Sequence, residues 1–257
     1  MAEDISRQIG PVVLLGAPGA GKGTQARHIA ARFGIPHIST GDLLRENVRR
    51  GTELGQTAQS FMSRGELVTD SLVYGIVSHR LEQPDCKRGY ILDGFPRTAA
   101  QAGWLDALLE GSVFDNSRDG MPNMAGASGA EKRGMPVCLP IVVQIEVDYN
   151  ELLRRLTGRR TCPSCGRIYN VYLQQPRKDE LCDVDGSGLV IRNDDREEVI
   201  AERLRAYEQQ TRPVADYYAA RGRLHVVKGD RPVHEVTRDV FAALEQSSAE
   251  CREWQDS

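Results

Sequence analysis

Val12-Val13-Leu14-Leu15 forms a short, unbroken apolar run between Pro11 and Gly16. Four apolar residues in a row, bounded by turn formers, predict a strand buried on both faces. The spacing from Lys22 to Phe33 predicts a helix, with Gly34 placed to end it. Comparable runs at residues 35–38, 90–93, 141–147 and 224–227 predict further strands, and helical patterns fill the intervals. Strands alternating with helices imply an α/β fold with a mostly parallel sheet covered on both faces. In such sheets ligands sit beyond the carboxyl ends of the strands.

Two stretches interrupt the alternation. Residues 39–70 read as largely helical and are dotted with Gly41, Gly51, Gly55 and Gly65. Residues 158–195 combine cysteines, β-branched and aromatic residues, and many turn formers. Both are expected as small modules inserted into one sheet-based core made of residues 1–38, 71–157 and 196–257. A third irregular stretch, 111–136, is rich in Gly, Ser, Asn and Met and lacks periodicity, which predicts a flexible surface loop. It leads from a helix into a strand and so belongs at the sheet edge opposite the ligand crevice, away from any chemistry.

Composition narrows the class. A chain of 257 residues can bury a substantial core, and 40% apolar with 27% charged residues is ordinary for a globular protein. The net charge of −3 argues against purely electrostatic attachment to nucleic acid or an acidic membrane. The N-terminus carries charges and no apolar signal segment, and no stretch approaches the roughly 20 apolar residues of a membrane span. The expectation is a cytoplasmic protein, monomeric because no oligomerisation element stands out. Of the cysteines, Cys162, Cys165 and Cys182 cluster, which in an intracellular chain points to metal rather than disulfides. Cys86, Cys138 and Cys251 are scattered and read as ordinary thiols.

Residues 16–24, Gly-Ala-Pro-Gly-Ala-Gly-Lys-Gly-Thr, lie between the first strand and the first helix. Glycines there let backbone N–H groups turn inward around phosphate oxygens, and the helix N-terminus adds partial positive charge. Lys22 is placed to reach the β- and γ-phosphates of a nucleotide. Gly23 stands where a Ser or Thr usually follows the lysine, and the hydroxyl comes one residue later, at Thr24. Water would then complete the Mg²⁺ shell on that side.

The spacing Cys162-x₂-Cys165-x₁₆-Cys182-x₂-Asp185 places two short knuckles across a small β module. Three thiolates and a carboxylate can complete a tetrahedral zinc site with no open position, the mark of a structural metal. Asp183 is close enough in sequence to compete with Asp185 as fourth ligand.

The variant Gly-x-Pro-Gly-x-Gly-Lys-Gly-Thr-Gln, ending at Gln25, resembles the nucleoside monophosphate kinases and the adenylate kinase family in particular. The likeness continues through residues 39–45 (STGDLLR), 66–70 (ELVTD), 92–98 (LDGFPRT), 158–160 (GRR), 192–195 (RNDD) and an Arg-Leu pair at Arg203. It runs in the family's order along essentially the whole chain outside 111–136. It implies a P-loop three-layer α/β sandwich with a five-stranded parallel sheet, an AMP-binding module at 39–70 and a zinc-bearing lid at 158–195. The implied reaction is reversible, Mg²⁺-dependent transfer of the terminal phosphoryl group of ATP to AMP, giving two ADP.

The same resemblance distributes roles. Gly19, Ala20, Gly21, Lys22, Gly23 and Thr24 would hold ATP, with Arg155 and Arg159 on its phosphates. Thr40, Arg45, Glu66, Leu67, Val68, Gly94, Phe95, Pro96, Arg97 and Gln101 would form the AMP site, with Arg45 and Arg97 on the phosphate and Gln101 on the adenine edge. Arg192 and Arg203 would complete the clamp around the moving group, oriented by Asp194 and Asp195. Asp93, at the end of an apolar strand, would hold water around Mg²⁺. Arg155 and Arg159, four apart, would share one helix face. No general base is assigned, because a phosphate nucleophile at neutral pH needs none.

Other readings stay open at this level. A related kinase acting on UMP or CMP, or using GTP as donor, would carry much the same motifs. A zinc-ribbon nucleic-acid-binding protein with an ATPase-like core is permitted by the cysteines, but no basic stripe with interleaved aromatics accompanies them. A regulatory protein that binds nucleotide without turnover would lack at least one of the clamping arginines, and all are present.

Overall fold

The structure, a computed structural model, describes residues 9–110 and 139–253, with side chains through residue 247. The expected loop at 111–136 and Cys138 lie outside that description, as does the side chain of Cys251. The central sheet consists of β1 (Val12–Leu15), β2 (His37–Ser39), β3 (Ile91–Asp93), β4 (Ile141–Glu146) and β7 (Leu224–Lys228). The strands run in the order β2-β3-β1-β4-β7, and all pairs are parallel.

β1 shows why the apolar run is continuous. Val12 and Leu14 face a layer that includes Ile29 of α1 (Lys22–Phe33) and Val240 of α9 (Val233–Glu253). Val13 and Leu15 face the opposite layer with Val77 of α4 (Asp70–Leu81), Leu105 of α5 (Ala99–Glu110) and Val214 of α8 (Arg212–Ala219). Successive side chains alternate faces, so a strand covered by helices on both sides needs apolar residues at every position. A third apolar cluster packs Ala17 and Ala20 of the loop after β1 against Leu152 and Leu156 of α6 (Tyr149–Thr157) and Leu204 of α7 (Glu197–Ala206). That cluster seats the glycine-rich loop on the core.

The second strand begins at His37, not at residue 35. Pro36 has no N–H to donate; it enters the sheet only through its carbonyl, which accepts from the Ile91 N–H at 2.9 Å. Between β2 and α4 lie α2 (Thr40–Arg50) and α3 (Glu53–Met62), packed on each other. After α6 come the short antiparallel strands β5 (Arg159–Thr161) and β6 (Ile168–Asn170). Among the described residues no helix is long and apolar enough to cross a membrane.

One expected geometry fails. Arg155 and Arg159 do not share a helix face, because α6 ends at Thr157 and Arg159 opens β5. Gly158 makes the break. A Cβ there would sit 2.5 Å from the Tyr172 ring, so the chain turns where only glycine lets it pass.

Candidate active site

At the carboxyl end of β1 the chain turns through residues 16–21 and enters α1. Gly21, the residue before the helix, has φ +101°, in the region that favours glycine. The α1 N-terminus carries no side-chain cap and no acidic residue in its first turn. By contrast, α2, α3 and α6 are capped by Ser39, Thr52 and Asp148, and the uncapped α4 and α7 carry acidic residues in their first turns. An uncapped N-terminus presents free N–H groups and partial positive charge to an anion. Lys22 Nζ donates to the carbonyls of Gly16 (2.7 Å) and Ala17 (3.0 Å), so its ammonium lies inside the loop. Burial, reinforced by Arg97, Arg203 and Arg159 against the attraction of Asp93, pushes its pKa down to about 8.

Asp93 ends β3 next to this loop. Its Oδ2 lies 3.3 Å from His37 Nε2, and a Cβ on Gly23 would come within 3.5 Å of the same oxygen. Burial opposes ionisation of Asp93, but the His37 contact and the charges of Lys22 and Arg97 hold the carboxyl below its ordinary range.

Beyond Asp93 a group of arginines converges from elements far apart in sequence. Arg159 Nε donates to Asp195 Oδ2 at 2.6 Å, and its Nη2 contacts Asp195 Oδ1. Arg203 Nη1 donates to Asp195 Oδ1 (2.8 Å) and to the carbonyl of Asp194 (2.7 Å). Arg45 pairs with Asp42 (2.6 Å) and lies 3.6 Å from Asp194. Arg192 Nε donates to Thr161 Oγ1 at 3.0 Å. The two aspartates do not offset the cations. Arg97 and Arg192 are both held below the ordinary arginine value, first by burial and then by neighbouring arginines. Arg203 is lowered too, chiefly by burial. Lys22, Arg45, Arg97, Arg159, Arg192 and Arg203 thus crowd together against Asp42, Asp93, Asp194 and Asp195. A surplus of half-buried cations calls for an anionic ligand of several charges.

Arg155 stands at the margin of this group. It donates to the carbonyls of Gly229 (2.9 Å) and Ala20 (3.5 Å) and pairs with Glu151 (2.9 Å), which sets it against the glycine-rich loop.

The 94–101 segment lies alongside. The Phe95–Pro96 peptide is cis. Gly94 has φ +80°, and a Cβ there would meet Thr40 Oγ1 at 2.8 Å. Thr40 donates to the Gly94 carbonyl at 2.8 Å and Arg97 Nε donates to it as well, also at 2.8 Å. Phe95 is fully buried, edge-on to Tyr74 and Trp104, and supports the segment from beneath. Val68 is buried, Leu67 half-buried, and Glu66 exposed with its carboxylate on Arg64. Gln101 is buried and doubly engaged: Oε1 accepts from the Arg97 N–H (2.7 Å) and Nε2 donates to Asp70 Oδ1 (2.6 Å).

In the 158–195 module the donors of Cys162, Cys165, Cys182 and Asp185 all lie within 4.8 Å of one another. Sγ of Cys165 and Cys182 are 3.5 Å apart, and Cys162 Sγ is 3.4 Å from both Asp185 oxygens. A tetrahedral zinc thiolate site places sulfurs about 3.8 Å apart. The donor set fits that ion. Asp183 accepts from the Arg177 N–H at 2.8 Å, and of the two aspartates it is Asp185 whose carboxylate stands with the three thiols.

Two residues at the site carried no assigned role in the sequence. His37 contacts Asp93, and Asp70 holds Gln101. Both stand inside or beside motif segments, but only the pairing of β2 with β3 and the packing of α4 near α5 reveal their partners. A residue three before Thr40 and one strand away from Asp93 carries no local signal.

Fold and site together define a nucleotide-binding α/β protein of the P-loop class. Residues 14–117 match the family model described as adenylate kinase, and residues 159–194 match the model described as adenylate kinase, active site lid. An adenylate kinase of Thermodesulfovibrio yellowstonii is 46% identical over 235 residues, 91% of this chain and 99% of that protein. Those of Archaeoglobus fulgidus and Caldicellulosiruptor bescii are 43% and 45% identical, each over 91% of this chain and 98% of their own. The chain belongs to the adenylate kinase family, and is therefore a phosphotransferase.

Proposed function

We propose that this enzyme transfers the terminal phosphoryl group of ATP to AMP, reversibly and with Mg²⁺, so balancing adenine nucleotide pools. The observation that carries the reading is the surplus of half-buried cations around Lys22 and Arg97, beside an uncapped helix N-terminus. A phosphate oxygen of AMP forms a bond to the γ-phosphorus as the bond to the β,γ-bridging oxygen breaks, and ADP leaves. Negative charge spreads over the equatorial oxygens of the moving group, and fixed cations around it lower the barrier.

Residues 19–24 and Lys22 hold the ATP phosphates, Arg45 and Arg97 the AMP phosphate, and Arg159, Arg192 and Arg203 the group in transit. Arg155 supports the loop and faces the donor nucleotide. Thr40, Val68 and Gln101 line the acceptor base site. Asp93 would hold the water shell of Mg²⁺, which when bound neutralises charge on the β- and γ-phosphates. Zinc at Cys162, Cys165, Cys182 and Asp185 would supply no chemistry; it ties together a module too poor in apolar residues to order itself. Grouped thiols of this kind suit a reducing compartment, in keeping with a cytoplasmic, monomeric enzyme that has no nucleic-acid or membrane partner.

Purified enzyme with Mg²⁺, ATP and each of AMP, UMP, CMP and GMP tests the reading by chromatography of diphosphate products. ADP formation with AMP, lost in Arg97→Ala, is the expected result. Preferred turnover of UMP or CMP would move the acceptor assignment, and no turnover by folded protein would overturn the proposal.

A further inference from the structure

A primary amide offers two N–H donors and two acceptor lone pairs, and its two ends are nearly isosteric, so its orientation is decided by its partners. At Gln101 the partners leave no ambiguity. The Arg97 N–H can only donate and takes Oε1 at 2.7 Å; the Asp70 carboxylate can only accept and takes Nε2 at 2.6 Å. Turning the amide over would set N–H against N–H and oxygen against carboxylate, two repulsions in place of two hydrogen bonds. Gln101 is 2% exposed, so water offers little relief from such a mismatch.

Two valences of the amide remain, one lone pair on Oε1 and one N–H on Nε2. That pair reads one purine edge and rejects another. Adenine presents a 6-amino donor beside the N1 acceptor. Hypoxanthine and guanine present an O6 acceptor beside an N1–H donor, the reverse pattern, and would need the amide turned over. We propose that Asp70 is a specificity-determining residue: by fixing the orientation of the Gln101 amide it makes the acceptor site select a 6-aminopurine over a 6-oxopurine. It acts through Gln101 and touches no substrate, so it is a positioning residue. The inference rests on the reading that Gln101 faces the acceptor base.

Asp70 is the first residue of α4, on an element separate from Gln101 in α5. The selection therefore depends on how α4 and α5 are set against each other, and no motif spacing encodes it.

Steady-state kcat/KM for AMP and for IMP, with Mg²⁺ and ATP, tests the proposal in wild type, Asp70→Asn, Asp70→Glu and Gln101→Ala. IMP is the discriminating probe because it differs from AMP only along the edge in question. Asparagine can turn either its oxygen or its N–H toward Gln101, so Asp70→Asn should cut the AMP-to-IMP ratio by about tenfold, mostly through KM for AMP. Asp70→Glu, which restores a carboxylate, should recover much of the ratio. A merely structural role for Asp70 at the helix start would lower both acceptors alike and leave the ratio unchanged. That result, with a ratio that collapses in Gln101→Ala, overturns the role of Asp70 and leaves the base reading standing. A ratio unchanged in both variants removes Gln101 from the base site, and the proposal with it.

Discussion

The nucleotide-facing end of the core and the 158–195 module carry parts of one site but are held together by different physics. In the core, the residues around Lys22 and Asp93 sit at the ends of β1 and β3, whose apolar side chains are almost wholly removed from water. Helices cover both faces, and the glycine-rich loop is pinned by Ala17 and Ala20 on Leu152 and Leu156. In the module, the buried apolar cluster amounts to Cys162, Tyr169 and Cys182 with Leu189 beside them, while Tyr172, Val184 and Ile191 are exposed. Such a cluster cannot offset the chain entropy of some forty residues at about 1.5 kcal/mol each. Order in the core comes from apolar burial between layers. Order in the module is expected to come from a metal held by the four donor atoms of Cys162, Cys165, Cys182 and Asp185.

The contrast can be broken most sharply at the metal. Chelation, or Cys182→Ser, should unfold the module while leaving the core, since a structural zinc contributes about 10 kcal/mol or more to folding. Hydrogen exchange would show lost protection at β5 and β6 and unchanged protection at β1 and β4. Equal loss in both regions would mean that the two do not stand apart energetically.

Next in size is the chemistry of the core. Lys22→Met should lower kcat by roughly 10³-fold, about 4 kcal/mol of transition-state stabilisation, with the thermal midpoint nearly unchanged. Its ammonium lies half-buried near several arginines and is expected to add little to folding. A variant that lost stability in proportion to activity would recast Lys22 as structural.

A paired set of packing variants comes third. Leu92→Ala removes a fully buried side chain of β3 and should cost about 2–5 kcal/mol of whole-protein stability, read by denaturant unfolding. Tyr169→Ala in the module should leave that midpoint in place and loosen only its own neighbourhood, seen by limited proteolysis.

The smallest effect is a pH dependence. Lys22 in the free protein titrates near pH 8, lowered chiefly by burial. Bound phosphates favour the ammonium and raise its pKa, so above about pH 8 ATP binding must take up a proton. Affinity should fall with rising pH from there, by at most about tenfold per unit, and hold level between pH 7 and 8 as far as Lys22 is concerned. Calorimetry at pH 8.5 in two buffers of different ionisation enthalpy would register the proton uptake. Lys22→Arg, which stays charged, should abolish it.

Much of the molecule was legible before its structure. The unbroken run at Val12–Leu15, the helix Lys22–Phe33 and the five parallel strands follow from local periodicity, because burial on one or two faces leaves its period in the chain. The glycine-rich loop was legible for a related reason: its function lies in contiguous backbone N–H groups. The cysteine spacing likewise foretold that Cys162, Cys165, Cys182 and Asp185 would gather, since each knuckle is only a few residues long. The start of β2 and the end of α6 were misplaced because Pro36 and Gly158 act through single backbone positions that periodicity does not weigh.

What the sequence determined alone, then, is what contiguous residues settle among themselves: element type, loop chemistry, and which charged side chains stand at motif positions. Only the tertiary structure decided what those charges meet. Arg159 finds Asp195, Arg155 finds the carbonyl of Gly229, His37 finds Asp93, and the Gln101 amide is turned by Asp70. Hydrogen bonds are short and directional, so their partners depend on how distant elements are set to within a fraction of an ångström, and no pattern along the chain carries that information.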